Sequence, residues 1–168
     1  MHAMTEENLK AAFAGESQAS RKYLYFAEKA DEEGHKQIAR LFRAASEAET
    51  VHARNHLKVM QEIKSTKENL KSAIGGEHHE FTNMYPDFIK QAEAEGNKKA
   101  IDTFDLANKV EQIHHRLYQT ALSLLEKNQD IVDKPIYVCQ YCGNTVEGEP
   151  PGKCPICGML KKMFKRID

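Results

Sequence analysis

A helix face destined for a protein interior is normally written in apolar residues. In this 168-residue chain each such face carries glutamate at its centre. Apolar residues spaced alternately four and three apart mark long helical stretches between residue 5 and about residue 128. The first stripe runs Leu9, Phe13, Glu16, Ser20, Tyr23, Ala27, Ala30, and the second Ile38, Phe42, Ala45, Glu49, His52, His56, Val59, Ile63. The fourth runs Ala100, Phe104, Ala107, Glu111, His114, Tyr118, Ala121, Leu125. The third is less regular, with Leu70, Ala73, Glu77, Glu80 and Met84 on one face. An unpartnered carboxylate withdrawn from water is heavily penalised, so these groups must be neutralised or bound to a cation.

The heights of these residues let them meet. Glu16 lies 18 residues before Gly34, and Glu49 and His52 lie 15 and 18 residues after it. Around Gly96 the pattern repeats: Glu77 and Glu80 precede it by 19 and 16 residues, and Glu111 and His114 follow it by 15 and 18. At ~1.5 Å per residue, both clusters sit about 25 Å from their turns. Glu49/His52 and Glu111/His114 are Glu-x-x-His pairs, whose i, i+3 spacing puts both side chains on one helix face. A di-iron carboxylate bundle takes one Glu from each of two helices and Glu-x-x-His from each of the other two. This chain meets that pattern with one carboxylate to spare. His56, His78, His79 and His115 have no such support and read as polar surface, and His35 reads as a helix-start residue.

Local signals divide the helical part. Thr5 is expected to cap a first helix ending near Gly34, and a second runs from about His35 to Met60 or Ile63. Ser65-Thr66-Lys67-Glu68 has the form of a capping box opening a third. Pro86 should kink that helix, and Gly96 closes it. A fourth spans about Lys98 to Asn128, and Gln129–Pro135 reads as a linker.

All four cysteines lie beyond it, as Cys139-x2-Cys142 and Cys154-x2-Cys157. The glycine after each pair permits a tight turn whose N–H groups point at sulfur. In a reducing compartment this spacing means metal ligation. Four thiolates suit zinc or iron, and taken alone they read first as structural zinc. A ribbon this small needs its metal to fold. The expected domains are 1–130, a helical bundle, and 135–168, the cysteine module.

Charge is nearly balanced, with 24 basic and 25 acidic residues, so neither nucleic acid nor an anionic membrane is an expected partner. No apolar run approaches the ~20 residues of a membrane span, and no export signal is visible at the N-terminus, so the expected location is cytoplasmic.

Together these motifs resemble rubrerythrin over essentially the whole chain. The helical part carries Ala12-Phe13-Ala14-Gly15-Glu16-Ser17, Glu49-x-x-His52, Gly76-Glu77-His78-His79-Glu80 and Glu111-x-x-His114. The tail, with Tyr137, Cys154-Pro155-Ile156-Cys157-Gly158 and Phe164, resembles rubredoxin. The resemblance implies a ferritin-like four-helix bundle followed by a rubredoxin-like domain, and three irons per chain. Glu49 and Glu111 would bridge a di-iron site, with Glu16 and Glu80 serving one iron and Glu77 and His114 the other. His52 would replace Glu80 on reduction. Tyr23 and Tyr85 match tyrosines near the site, although aromatic packing explains them equally well from spacing. Cys139, Cys142, Cys154 and Cys157 would hold a mononuclear iron, with zinc as a possible substitute.

The implied activity is reduction of hydrogen peroxide to water, recharged by a free rubredoxin or an NAD(P)H-dependent reductase. A ferritin-like ferroxidase, an iron-handling or dioxygen-reducing protein, and a zinc-stapled scaffold are the alternatives. The family also implies a homodimer in which the module of one subunit lies near its neighbour's di-iron site. Finally, Ile63 to Ser65 is too short for the long crossover of a ferritin-like bundle. Three solutions follow: a plain up-down-up-down bundle, a third helix starting late near Ile74, or hairpins exchanged between two chains. Exchange is the favoured one.

Overall fold

The computed structural model describes residues 3–168. The chain divides into two compact units, Met1–Lys64 and Ser65–Asp168. The first two residues of the expected 1–130 domain lie outside the described residues.

The first unit is a hairpin of α1 (Ala3–Glu32) and α2 (Lys36–Met60). Thr5 lies inside the first turn of α1 rather than capping it. At the hairpin turn Gly34 has φ +84°, and His35 N–H donates to the Ala30 carbonyl at 2.8 Å. Left-handed Gln61 ends α2, its N–H donating to Leu57 and Lys58 carbonyls.

On α1 the buried seam keeps to the expected stripe, but on α2 it lies one column away from it. Ser20, Ala27 and Ala30 of α1 are buried with Ala39, Ser46 and Ala53 of α2, the last three spaced by sevens. Ser46 Oγ–H donates to the Ser20 carbonyl at 2.8 Å, and Ser20 Oγ lies 2.9 Å from Thr50 Oγ1. Small side chains and interhelical hydroxyl bonds let the two backbones approach closely. The bulkier stripe stays outside that seam: Ile38 is 49% exposed and Val59 54%. Phe42 alone of the large stripe residues packs on the Ala27–Ala30–Ala39 cluster.

The second unit starts at α3 (Thr66–His79). Ser65 accepts from Glu68 N–H and the Glu68 carboxylate accepts from Ser65 N–H, completing the capping box. This excludes a late start near Ile74, and Gly75 and Gly76 remain helical. Residues Glu80–Met84 form a π turn, and α4 (Tyr85–Ala94) follows with Pro86 in its first turn. Pro86 thus begins a new helix rather than kinking the old one. The extra residue of the π turn absorbs the register change: Tyr85 N–H reaches the Glu80 carbonyl. A turn at Gly96 repeats the first, with Asn97 N–H donating to the Ala92 carbonyl at 2.9 Å. The Asn97 side chain caps α5 (Lys98–Leu125), accepting from Ala100 N–H. α5 ends three residues short of the expected Asn128, which instead has φ 56°.

After irregular residues 129–135 comes a three-stranded antiparallel sheet, β1 (Ile136–Cys139), β2 (Thr145–Glu147) and β3 (Phe164–Ile167), with β1 central. Tyr137 pairs with Val146 on one side and Arg166 on the other. Its core is Cys139, Cys154 and Phe164, with Tyr137, Val146, Ile156 and Met163 against them. That is little apolar mass, so the cysteines must carry much of the module's stability through a metal.

Candidate metal centres

Three groups of side chains bring ligand atoms within 4.8 Å of one another among the described residues. The first joins Glu16 of α1 to Glu49 and His52 of α2. His52 Nδ1 lies 2.8 Å from Glu49 Oε2 and 4.0 Å from Glu16 Oε1. Glu49 is the most sheltered of the three and His52 the most exposed.

The second joins Glu77 of α3 to Glu111 and His114 of α5. His114 Nδ1 lies 2.7 Å from Glu111 Oε2. Burial, and a hydrogen bond with Glu111, push Glu77 up to about 7. Burial alone would raise Glu111 too, but its bonds to His114 and Glu77 bring it below the ordinary carboxylate range. Contact with Glu111 raises His114. Two carboxyls and an imidazole therefore share protons where a cation would otherwise balance the charge. Glu80, at the head of the π turn, stands outside this group. Burial and the Glu111 charge raise its carboxyl.

The third is Cys139, Cys142, Cys154 and Cys157, all free thiols. Cys139 and Cys157 sulfurs are 3.7 Å apart and those of Cys142 and Cys154 3.6 Å. A tetrahedral ion with ~2.3 Å bonds to sulfur requires about 3.8 Å between sulfurs, so the cage is close to metal-ready. Burial raises Cys142. Burial also acts to raise Cys154, but N–H groups of Cys157 and Ile156 and the neighbouring thiols bring it down to about 7, so a substantial share is thiolate at neutral pH. Asn144, fully buried, points Nδ2 at Cys154 sulfur at 3.6 Å. The donor sets fit iron: oxygen and nitrogen in the helices, sulfur in the module.

The second and third groups adjoin within the second unit. His114 Nε2 lies 2.9 Å from Thr145 Oγ1 of β2. A Cβ built on Gly143 would stand 3.7 Å from Val110 Cγ1, and Val110 is almost fully buried. The module therefore packs on α5 of its own chain, beside the ligand histidine. A cleft of about 320 Å³, lined by Leu70, Leu117, Tyr118, Ala121 and Ile136, ends at His114 and Thr145.

The two tyrosines differ in their surroundings. Tyr23 stacks with Phe26 and Phe42 at 6.1 Å, as aromatic packing would have it. Tyr85 packs on Phe88 and Phe104. Its hydroxyl is raised by burial and by the charges of Glu111, Glu80 and Glu77, so it senses the second group. Tyr118 is raised by burial and by Glu77 and Glu111. It lay on the α5 stripe without being singled out. Thr145 had no periodic signal, because its partner comes from an element 31 residues away. His78 and His115 stack around Phe81 instead of joining any ligand group.

The rubrerythrin family model matches residues 7–122, and a model described as rubrerythrin, rubredoxin-like domain, matches residues 137–165. Rubrerythrin-2 of Clostridium acetobutylicum is 37% identical, over 98% of this chain and 97% of its own length. Nigerythrin of Nitratidesulfovibrio vulgaris is 39% identical, over 95% and 85%. Among solved structures, the mixed-valence state of nigerythrin superposes with a TM-score of 0.58 at 38% identity, over 97% of this chain and 86% of that one.

Proposed function

The chain belongs to the rubrerythrin family of iron oxidoreductases, ferritin-like with a rubredoxin-like domain, and from that premise we propose that it reduces hydrogen peroxide to water in oxidative-stress defence. The observation that carries this reading is the seat of the four-thiolate module against the ligand histidine of a carboxylate group. A protein that only stores or oxidises iron has no use for an attached electron donor there.

In this reading Glu49 and Glu111 would be common to two irons, Glu16 and Glu80 would serve one, Glu77 and His114 the other, and His52 would take the place of Glu80 in the reduced protein. A ferrous pair bound there supplies both electrons of H2O2 + 2 H+ + 2 e− → 2 H2O. The chain's own groups do the rest. The carboxylates offset ferric charge. Glu80, whose carboxyl is raised by burial, would hold a proton for departing hydroxide. Tyr23 and Tyr85 would border the site. The four cysteines would hold a third iron, with zinc as a substitute, and that iron would supply one-electron transfer from a rubredoxin or an NAD(P)H-dependent reductase. Residues 1–130 and 135–168 are the working modules. The unpaired thiols suit the reducing cytoplasm, and no helix among the described residues is long and apolar enough to cross a membrane.

We also propose a homodimer that exchanges hairpins. Between Met60 and Thr66 stand Gln61–Ser65, which reach at most ~18 Å. The 25-residue α2 is about 38 Å long, so this link cannot return along it. Ile38, Val59 and Phe88 expose apolar surface that a second copy would cover. Glu16, Glu49 and His52 of one chain would then share irons with Glu77, Glu80, Glu111 and His114 of its partner.

Peroxide added to the anaerobically reduced, iron-loaded protein should return the red ferric thiolate colour, with two electrons consumed per peroxide and much slower return with dioxygen. A coloured protein inert to peroxide would favour iron handling or dioxygen reduction, and a colourless one would place zinc in the module. For exchange, chains carrying Glu49→Ala and Glu111→Ala are refolded together. Exchange builds one intact site per mixed dimer and restores activity; a one-chain bundle restores none.

A further inference from the structure

His114 is held at both ring nitrogens. Nδ1 faces Glu111 Oε2 at 2.7 Å, and Nε2 faces Thr145 Oγ1 at 2.9 Å. The Thr145 hydroxyl hydrogen is already directed at the Gly143 carbonyl, 3.2 Å away. Oγ1 therefore meets the ring as an acceptor, and Nε2 carries a hydrogen. When a metal ion takes Nδ1, the nitrogen beside Glu111, the ring's single hydrogen belongs on Nε2, and that hydrogen needs an acceptor.

We propose that Thr145, contributed by the four-cysteine module, is a positioning residue for the carboxylate centre: its hydroxyl accepts from His114 Nε2–H and holds the ring with Nδ1 turned toward the ligand group, ready for a metal ion. The two centres are then linked in construction, since the module supplies the group that readies the neighbouring ligand. The chain Cys142–Gly143 carbonyl–Thr145 hydroxyl–His114 is continuous in bonds and hydrogen bonds. The inference rests on reading His114 as a metal ligand and is independent of which oxidant the protein reduces.

Full-length protein with zinc already in the thiolate site is titrated with cobalt(II), and binding at the carboxylate group is read from the visible d–d bands. Thr145→Val keeps the β-branched shape a strand favours and removes the hydroxyl. It should weaken cobalt binding about 10–100-fold, the usual effect of losing a hydrogen-bond partner behind a ligand histidine, while Thr145→Ser stays within about three-fold of wild type. Retained zinc shows that the module is folded. Nitrogen-15 histidine spectra of the same zinc-filled protein, before cobalt is added, should show slow hydrogen exchange at His114 Nε2 in wild type and Thr145→Ser, and fast exchange in Thr145→Val. Wild-type affinity in Thr145→Val, or unchanged hydrogen exchange at Nε2, overturns the proposal. Absence of cobalt binding in wild type overturns the ligand reading beneath it.

Discussion

Replacing Glu77 by glutamine should remove most of a pH-dependent instability built into the carboxylate centre when it lacks metal. In the folded chain Glu77 keeps its proton to about pH 7, whereas its ordinary value is 4.5. The folded state therefore binds more protons than the unfolded state between those values, so stability is full below pH 4.5 and falls as pH rises toward 7. At about 1.4 kcal/mol per pH unit the loss would reach about 3.4 kcal/mol. Glu77 is only part-buried, and solvent screening reduces this to about 1–2 kcal/mol. Glu111 does not oppose it in this window, because its lowered carboxyl titrates below 4.5. His114, raised above 6.5, adds a loss of the same sign at the upper end. For a chain of this size the Glu77 effect corresponds to about 2–8 °C in the unfolding midpoint. The assay is thermal unfolding from pH 4.5 to 8 after EDTA has cleared the carboxylate site and left the thiolate-held metal. Wild type should lose midpoint steadily through the window, and Glu77→Gln should lose markedly less, keeping only the contributions of Glu80 and His114. A variant as pH-sensitive as wild type would refute the proton assignment.

Emptying the thiolate site with a strong chelator should unfold residues 136–167, seen as lost amide protection in β1–β3, while α1 and α2 keep theirs. Gly143→Ala and Gly158→Ala each impose a side chain at φ +82° and +75°. Each should cost about 1–2 kcal/mol in calorimetry, with little difference between them because neither new Cβ meets a close neighbour. Ala39→Leu overfills a position with no exposure. It should destabilise by about 1–3 kcal/mol, prise α1 from α2, and weaken metal binding at Glu16, Glu49 and His52. Ser65→Ala removes the capping box and should cost about 1 kcal/mol, with faster hydrogen exchange in the first turn of α3.

Glu16, Glu49 and His52, and likewise Glu77, Glu111 and His114, were legible from periodicity and distance to a turn. On a regular helix, rise and rotation per residue are constant, so spacing along the chain becomes spacing in space. The cysteine cage was legible for a related reason: two short loops with glycine after each pair have few ways to close around one ion. The capping box at Ser65 and the turns at Gly34 and Gly96 were equally local. Non-local packing decided what lay outside that reach. α1 buried Ser20, Ala27 and Ala30 of its expected stripe, but on α2 the seam took Ala39, Ser46 and Ala53, because small residues admit closer backbone approach than the bulky stripe one column away. Pro86 became the start of α4 because the π turn before it absorbed the register change, an accommodation that helical periodicity cannot anticipate. Thr145 met His114 only because β2 packs on α5, and no spacing rule on either element contains the other. Local geometry is written into the chain by fixed repeat lengths; which surfaces meet is settled by the competition among all of them for burial, and that competition has no period.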